Sequence, residues 1–340
     1  MVLTLADELQ AQGHTCHIIC FKRFQELRSK QVVPNHIFPL EFLRWLPRSI
    51  RGPLVAPLLD RFIRLKIGIP DLVLSNLLPA DRILSHSKLP NVQLVVHNTL
   101  SQELLVSAKP DKQHELRAML ASIYALKPCI CVSRGVLEDL QALLPTQKQA
   151  VCIYNPVDLD LIATSAQEPN PIKLPEYFIH VGKFKQAKRH DRLLRAYALS
   201  AIKTPLVLVG QGELLASSQA LAEELGISER VMFAGFHSNP YPLMAGAKGL
   251  LLASDFEGLG LVILEALALK VPVISTDCPS GPNEILPAAN LIATDDLASF
   301  ADKLRALDQN PNAFQVELNP EFAPRHAAQQ YLAQTTPHKL

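Results

Sequence analysis

The chain has 340 residues, of which 48% are hydrophobic and 19% charged, and its formal net charge is +1. This composition excludes a disordered chain, and the near-neutral charge argues against a general nucleic-acid binder. Apolar runs stay well short of the roughly 20 residues that span a bilayer. The length suffices for two domains with sizeable cores. The first residues lack the basic segment and cleavage site of a secretory leader, so we expect a cytoplasmic protein.

Short apolar strands alternate with amphipathic helices through the first half of the chain, the pattern of a doubly wound parallel sheet. Strands are predicted at 14–21, 70–76, 92–98, 128–133 and 150–158. Helices are predicted at 1–12, 101–126 and 134–144. We therefore predict an N-terminal Rossmann-like domain over residues 1–160.

The order of elements at the start is unusual, because the chain opens on a helix that ends at Gly13. In a doubly wound domain such a helix follows a first strand and a glycine turn. We therefore expect the first strand of this domain to be missing and the coding sequence to begin upstream of Met1. The alternative is a protein that lacks the strand, exposes strand edges, and is marginally stable or inactive.

A basic, apolar segment follows at residues 42–66. Asp60 is its one acidic residue, and Trp45 lies among its apolar side chains. Its basic residues are Arg44, Arg48, Arg51, Arg61, Arg64 and Lys66. Such a stretch can lie on an anionic membrane leaflet, and it can equally be the solvated face of a helix over a hydrophobic core. The first interpretation predicts a peripheral protein on the cytoplasmic face of the inner membrane.

A polar, proline-bearing segment at 161–176 is predicted to link two domains. A second Rossmann-like series then occupies 177–318, and a helix in 319–340 is expected to pack back on the N-terminal domain. The strands of the second series are predicted at 176–184, 204–210, 231–236, 249–254 and 271–276. Ligands in such sheets bind outside the carboxyl ends of the strands.

A basic turn opens the second series. A strand ends at Gly182, and Lys183 and Lys188 follow five residues apart, just before a helix. Two cations beside a strand end and a helix N-terminus suit a diphosphate. The next strand ends in a glycine turn at Gly210. Taken alone, the turn with Lys183 and Lys188 also fits a solvated basic loop. The turn at Gly210 also fits an ordinary tight turn.

Two carboxylates, Glu257 and Glu265, stand eight residues apart in the run SDFEGLGLVILEALAL. Gly258 and Gly260 allow a tight turn and a close approach of the backbone to a ligand. One carboxylate lies in the loop and the other about one turn into the next helix, whose first N–H groups can bind an anion. Both can face one pocket and bind hydroxyl groups. A sugar nucleotide supplies ring hydroxyls, ribose hydroxyls and a diphosphate together.

In this order, the segments of the second domain resemble the retaining glycosyltransferases of family four, which have the GT-B fold of two Rossmann-like domains facing across a cleft. The resemblance covers residues 177–286, extends to 131–140 and 153–158, and includes the E-x7-E spacing of Glu257 and Glu265. It is especially close to bacterial enzymes that build lipopolysaccharide, O-antigen or capsule. It implies transfer of a hexose or N-acetylhexosamine from a nucleoside diphosphate sugar, with UDP favoured, to a glycan or lipid-linked glycan acceptor. It also implies that the domain at 177–318 binds the donor and that the domain at 1–160 binds the acceptor.

The resemblance also implies roles for individual residues. Glu265 would bind the ribose hydroxyls, and Glu257 would contact the transferred sugar. Lys188 and Lys183 would hold the diphosphate; Lys183 stands where the family usually has arginine and keeps the charge without the bidentate fork. Further donor contacts are implied at Gly182, Gly210, Gly258, Leu259, Gly260 and Asn283.

His97 ends a strand of the first domain, in a region where the family often has a histidine facing the transferred sugar. A lone histidine after an apolar strand is also commonly structural. No cofactor or metal is expected, because GT-B enzymes typically need none. The spacing of Asp158 and Asp160 matches the sequence pattern of a metal–diphosphate site. The pair lies at the domain junction, however, and we assign it a structural role.

Two other classes of function stay open. A GT-B epimerase or hydrolase acting on a nucleotide sugar would keep the donor site but need a dedicated acid and base. The alternative in which the protein is not an enzyme is a donor-binding subunit without catalytic activity. The missing first strand is the feature that best supports this alternative. The presence of Glu257, Glu265 and Lys188 favours transfer over both.

Overall fold

The computed structural model describes residues 1–22, 33–40, 47–106 and 108–335. The chain divides into two compact units, one formed by residues 1–157 with 321–340 and the other by residues 158–320. Helices alternate with parallel strands in both units, so each belongs to the α/β class that the sequence predicts.

The described strands of the first unit form two parallel sheets. The smaller sheet pairs β1 (Ile18–Cys20) with β2 (Asn35–Ile37), and the sequence patterns do not predict β2. The larger sheet has the order β3-β4-β5-β6. Its strands are β3 (Val73–Asn76), β4 (Val92–Val96), β5 (Cys129–Cys131) and β6 (Ala150–Cys152). All residues of β4 and β5 are buried, which fits their largely apolar sequence, with Gln93 of β4 as a buried polar exception.

The helices of this part of the first unit are α1 (Val2–Ala11), α2 (Arg48–Ile67), α3 (Leu78–Leu84), α4 (Pro110–Tyr124) and α5 (Arg134–Leu143). The prediction of one helix over 101–126 is wrong. A π-helical segment, Ser101–Val106, comes first, and α4 begins only at Pro110. Proline disfavours a helical conformation in the residue before it, and Lys109 is accordingly extended.

The second unit is built on a six-stranded parallel sheet of order β12-β11-β10-β7-β8-β9. Its strands are β7 (Phe178–Val181), β8 (Leu206–Val209), β9 (Val231–Gly235), β10 (Gly249–Leu252), β11 (Val273–Thr276) and β12 (Leu291–Ile292). The sequence predicts all of these except the two-residue β12. Because β7 has β8 on one side and β10 on the other, the strand order reverses here, and such a switch point is where open α/β sheets bind ligands.

Helices flank this sheet and bury its two faces. They are α6 (Leu159–Ser165), α7 (His190–Ser200), α8 (Leu215–Glu224), α9 (Tyr241–Ala245), α10 (Leu261–Ala268), α11 (Pro282–Ile285) and α12 (Leu297–Gln309). Successive strand residues enter different apolar clusters: Phe178 and Leu208 belong to one, and Ile179 and Val207 to the other. This alternation follows from the two-residue period of a strand.

The polar segment 161–176 lies in the second unit, and α6 extends into it. Asp158 is the N-cap of α6, and its carboxylate accepts a hydrogen bond from the Leu161 amide at 2.9 Å. The last described helix, α13 (Pro324–Leu332), belongs to the first unit and packs against α1 with Tyr331 fully buried.

Candidate active site

The carboxyl edge of the six-stranded sheet carries most of the residues that the sequence singles out. Gly182 and Lys183 follow β7, and Gly210 follows β8. Glu257 lies in the loop after β10, and Glu265 lies in α10. Since these strands are neighbours at the switch point, the fold brings the basic turn and both carboxylates to one edge of the second unit.

Lys188 and Glu257 form an ion pair at this edge. The ammonium Nζ of Lys188 lies 2.5 Å from Oε1 of Glu257, and the two side chains are 16% and 11% exposed. The Ser254 hydroxyl donates to the same carboxylate oxygen at 2.6 Å. This arrangement offers a cation to an anionic ligand and a carboxylate to the hydroxyl groups of a ligand.

Hydrogen bonds and a close backbone contact fix the glutamate loop, by which we mean residues 254–260. The Ser280 hydroxyl donates to the Gly258 carbonyl oxygen at 2.6 Å. A Cβ atom added at Gly281 would lie 2.4 Å from the Leu259 carbonyl oxygen, so only glycine permits this approach. These protein contacts hold the glutamate loop in place.

The remaining residues predicted around this loop differ in what they expose. The side chain of Leu259 is buried, so only its backbone can face a ligand. Gly260 has a φ of 80° and is the N-cap of α10, where a left-handed conformation favours glycine. Asn283 is exposed at the start of the short helix α11.

Glu265 is paired with a residue that the sequence analysis did not select. The Tyr241 hydroxyl donates a long hydrogen bond to Glu265 Oε1 at 3.4 Å. Burial raises the pKa of Glu265 to about 7, against the opposing effects of this hydrogen bond and of the Lys188 charge. The charge of Lys188 therefore acts on Glu265 as well as on its ion-pair partner Glu257.

Gly182 and Gly210 lie where two turns approach each other. A Cβ atom at Gly210, whose φ is 147°, would lie 1.9 Å from the Gly182 carbonyl oxygen. A Cβ atom at Gly182 would lie 3.7 Å from Cδ of Lys188. Lys183 is exposed beside them. The missing side chain at Gly210 thus lets the two turns pack against each other beside both lysines.

The sequence patterns do not single out three residues that lie at this site. Tyr241 left no local signal, because 24 residues separate it from Glu265. Ser254 could have been found from its position between a strand and Glu257. His180, in β7, is fully buried, and its Nδ1 donates to the Leu251 carbonyl oxygen at 2.8 Å. Burial lowers the pKa of His180 to about 4, so its ring is neutral at physiological pH.

His97, the candidate from the first unit, follows β4 and binds a residue at the end of β3. Its Nε2 lies 2.8 Å from the amide oxygen of Asn76, so this nitrogen carries the proton in the neutral ring. Burial lowers the pKa of His97 to about 4. The ring is therefore uncharged near neutral pH and has a defined orientation.

The described residues contain neither a cluster of metal ligands nor a helix that could span a membrane. In residues 1–22, 33–40, 47–106 and 108–335, no group of three or more His, Cys, Asp or Glu side chains could hold a metal ion. Within the same ranges, no helix has both the length and the apolar character needed to cross a membrane.

Parallel strands with cations and glycine turns at the switch point are typical of α/β proteins that bind phosphorylated ligands. Comparison with known proteins identifies the family. Residues 1–161 match the family model described as Glycosyltransferase Family 4, and residues 163–321 match the model described as Glycosyl transferases group 1. The chain belongs to glycosyltransferase family 4, as its resemblance at the sequence level implies.

Two curated relatives match part of the chain. An N-acetylgalactosamine-N,N'-diacetylbacillosaminyl-diphospho-undecaprenol 4-alpha-N-acetylgalactosaminyltransferase of Campylobacter jejuni is 38% identical over 154 residues, covering 45% of this chain and 42% of that protein. A lipopolysaccharide 1,6-galactosyltransferase of Salmonella typhimurium is 31% identical over 163 residues, covering 46% and 45%. The matches thus span less than half the length of these relatives.

Solved structures share the fold. The crystal structure of HepE from Anabaena in complex with UDP and glucose has a TM-score of 0.73 at 18% sequence identity, covering 98% of this chain and 90% of that one. The crystal structure of WaaG, a glycosyltransferase involved in lipopolysaccharide biosynthesis, has a TM-score of 0.67 at 19% identity, covering 98% and 90%. The GT-B fold predicted from the sequence is confirmed.

Proposed function

We propose that this protein is a retaining glycosyltransferase that moves a hexose or N-acetylhexosamine from a nucleoside diphosphate sugar to a glycan acceptor in cell-surface polysaccharide or lipopolysaccharide synthesis. The observation that carries this proposal is the Lys188–Glu257 ion pair at the switch point of the second unit. The names of the two curated relatives, both sugar transferases, support the same function.

Each site residue has a proposed task on the donor. Lys188 and Lys183 bind the diphosphate, and Glu265 accepts hydrogen bonds from the ribose hydroxyls. Glu257 contacts the transferred sugar, while Gly258 and its neighbours Leu259 and Gly260 present backbone to sugar and phosphate. Gly182, Gly210 and Asn283 complete the donor contacts. His97 contacts the transferred sugar from the first unit.

The chemistry follows from these contacts. The bond between the anomeric carbon and the β-phosphate oxygen breaks, and the electron pair stays on the phosphate. Lys183 and Lys188 stabilise this developing charge, since preorganised cations are often the largest catalytic contribution. The acceptor hydroxyl attacks on the same face, and its proton passes to the departing phosphate oxygen. No protein nucleophile or general base is assigned.

A donor screen tests the proposal. Thermal shift measurements with UDP-, GDP- and dTDP-sugars are expected to show stabilisation by one nucleotide sugar. The shift is expected to disappear in Lys188→Ala and Glu265→Ala, which remove the proposed diphosphate and ribose contacts. Absence of any shift in the folded wild-type protein would contradict the proposed donor site.

Product analysis separates transfer from the alternatives. A glycan product with retained anomeric configuration supports transfer, whereas free sugar indicates a hydrolase and a converted nucleotide sugar indicates an epimerase. Nucleotide-sugar binding without any turnover would favour a non-catalytic subunit. We further propose that transfer needs no metal, and activity that survives EDTA dialysis is the expected result.

We also propose that the protein works in the cytoplasm, where α2 docks on the anionic inner leaflet of the membrane. One side of α2 exposes Ile50, Leu54, Leu58 and Leu65, which are 45–75% exposed and follow helical spacing. Arg61, Arg64 and Lys66 are exposed next to this apolar face. An exposed apolar stripe with cationic neighbours suits an anionic leaflet.

The acidic residue of α2 does not oppose this docking. Asp60 is buried, and its carboxylate accepts from the Ser87 hydroxyl at 2.6 Å and from the Lys88 amide at 2.7 Å. Residues 42–46 of the predicted segment, which include Arg44 and Trp45, lie outside the described residues. The proposal therefore rests on α2 alone.

Vesicle binding tests the docking proposal. Cosedimentation with vesicles rich in phosphatidylglycerol is expected to exceed that with pure phosphatidylcholine vesicles and to fall with salt. A triple variant, Leu54→Ser with Leu58→Ser and Leu65→Ser, is expected to lose binding. Leu199→Ser is the matched control, because Leu199 is an equally exposed leucine in α7 of the second unit. Undiminished binding by the triple variant would contradict the proposal.

A further inference from the structure

Asp255 joins the turn that carries Lys188 to the loop that carries Glu257. Its backbone amide donates to the Ala187 carbonyl oxygen at 2.8 Å. Its carboxylate accepts from Nη1 of Arg189, at 3.1 Å on one oxygen and 3.3 Å on the other. Asp255 is therefore bonded to the residue before Lys188 and to the residue after it.

Arg189 has a backbone conformation that needs such support. Its φ of 47° and ψ of 51° lie in the left-handed region, which is unfavourable for a residue other than glycine. Besides its contact with Asp255, the guanidinium donates to both oxygens of Asp191, from Nε and from Nη2, at 2.9 Å each. These side-chain bonds hold Arg189 in its strained conformation. They thereby fix the direction in which Lys188 leaves the turn.

Arg192 supports Asp255 from the first turns of α7. Its side chain is 6% exposed, and Nη2 donates to Asp255 Oδ1 at 2.7 Å. Nη1 of the same guanidinium donates to the Ala253 carbonyl oxygen at 2.7 Å. A buried guanidinium that binds both the backbone and the carboxylate of one loop fixes that carboxylate in position.

We infer that Asp255 is a positioning residue that fixes the direction of Lys188 and thereby the affinity of the site for a nucleoside diphosphate. This inference rests on the proposed function. Asp255 acts through the lysine: it orients the turn on both sides of Lys188, and Lys188 carries the charge that meets the phosphates. A network that merely stabilised the fold would leave the affinity for nucleotide unchanged once the protein is folded.

A double-mutant cycle tests the inference. Dissociation constants for UDP, or for whichever nucleoside diphosphate the donor screen selects, are measured by calorimetry at a temperature where circular dichroism shows every variant folded. Asp255→Asn is expected to weaken binding about tenfold, and Lys188→Ala is expected to weaken it more. The double variant should bind as Lys188→Ala does, since Asp255 acts only through this lysine.

Two further variants control for stability. Arg189→Gly removes the contact with Asp255 but suits the left-handed backbone, so it is expected to weaken binding as Asp255→Asn does while keeping the melting temperature. Asp308→Asn removes a carboxylate of the same unit that accepts from Lys248 at 2.9 Å and from Thr204 at 2.7 Å. This control is expected to leave nucleotide affinity unchanged.

The possible outcomes distinguish the positioning role of Asp255 from the proposed donor site. Wild-type affinity in Asp255→Asn and Arg189→Gly, or additive losses in the double variant, would overturn the positioning role while leaving the donor site intact. Failure of the wild-type protein to bind any nucleoside diphosphate would overturn the proposed function and the inference with it.

Discussion

Lys188 and Glu257, which are 69 positions apart in the sequence, are joined by a 2.5 Å contact between Nζ and Oε1. Oε1 also accepts from the Ser254 hydroxyl, so the lysine and the serine share one carboxylate oxygen. The pair thereby couples the cation proposed for the diphosphate to the carboxylate proposed for the transferred sugar.

Replacing Glu257 separates the two proposed tasks. Glu257→Gln keeps the shape of the side chain but removes its charge, so Lys188 is no longer neutralised. We expect turnover to fall at least about 100-fold, because the contact to the transferred sugar is weakened. Affinity for UDP is expected to stay equal or to rise. Steady-state kinetics and calorimetry measure the two quantities, and a parallel loss of both would contradict separate roles.

His97 is predicted to affect turnover but not the binding of UDP. His97→Gln is expected to lower turnover about 100-fold and to leave the dissociation constant of UDP within about twofold. Lys183 and Lys188, and not His97, are proposed to hold the diphosphate, which is why affinity should persist. Asn76→Ala, which removes the 2.8 Å bond to the ring, is expected to have a smaller effect of the same kind. Wild-type turnover in His97→Gln would mark the residue as structural.

The glycine at position 210 is predicted to be necessary for stability. In Gly210→Ala the new Cβ would meet the Gly182 carbonyl oxygen at 1.9 Å, so one of the two turns must move. We expect a loss of about 3 kcal/mol in the free energy of unfolding, together with weaker nucleotide binding. Gly226→Ala is the matched control. Gly226 also has a positive φ, but nothing lies within 4 Å of the added atom. Its expected loss is about 1 kcal/mol, from backbone strain alone.

Asp81 is predicted to make the stability of the protein depend on pH. Its side chain is buried in the first unit and accepts from Ser75 at 2.6 Å and from Tyr124 at 2.8 Å. Burial raises the pKa of Asp81 from 3.8 to about 7, despite these two bonds. Between these values the folded state keeps a proton that the unfolded chain has released. Stability therefore falls as pH rises through this window.

Asp81→Asn is expected to remove that dependence. The free energy of unfolding of the variant, taken relative to that of the wild type, should be about 2 kcal/mol higher at pH 8 than at pH 5. Urea denaturation at the two pH values measures this difference. Asp71→Asn, at an exposed carboxylate, controls for the simple loss of a charge. An unchanged difference between pH 5 and pH 8 in Asp81→Asn would show that burial does not govern this group.

Much of the fold follows from local patterns. Apolar runs predict β4 and β5 because strands covered on both faces need no polar side, although Gln93 interrupts the run in β4. The sequence patterns do not predict β2, where Asn35 and His36 leave no apolar run, or β12, which has only two residues. The sequence predicts a single helix over 101–126 because apolar spacing continues across these residues. In the structure a separate helix begins at Pro110.

The sequence by itself determined the class of the fold, the strand ends at Gly182 and Gly210, and the spacing of Glu257 and Glu265. These features depend on residues close together in the chain, where periodicity and glycine geometry act. Only the tertiary structure decided that Lys188 meets Glu257, that Tyr241 meets Glu265 and that Asp255 holds Arg189. Such contacts depend on the order β10-β7-β8 and on the register of these strands, which are set by packing between distant segments rather than by local sequence.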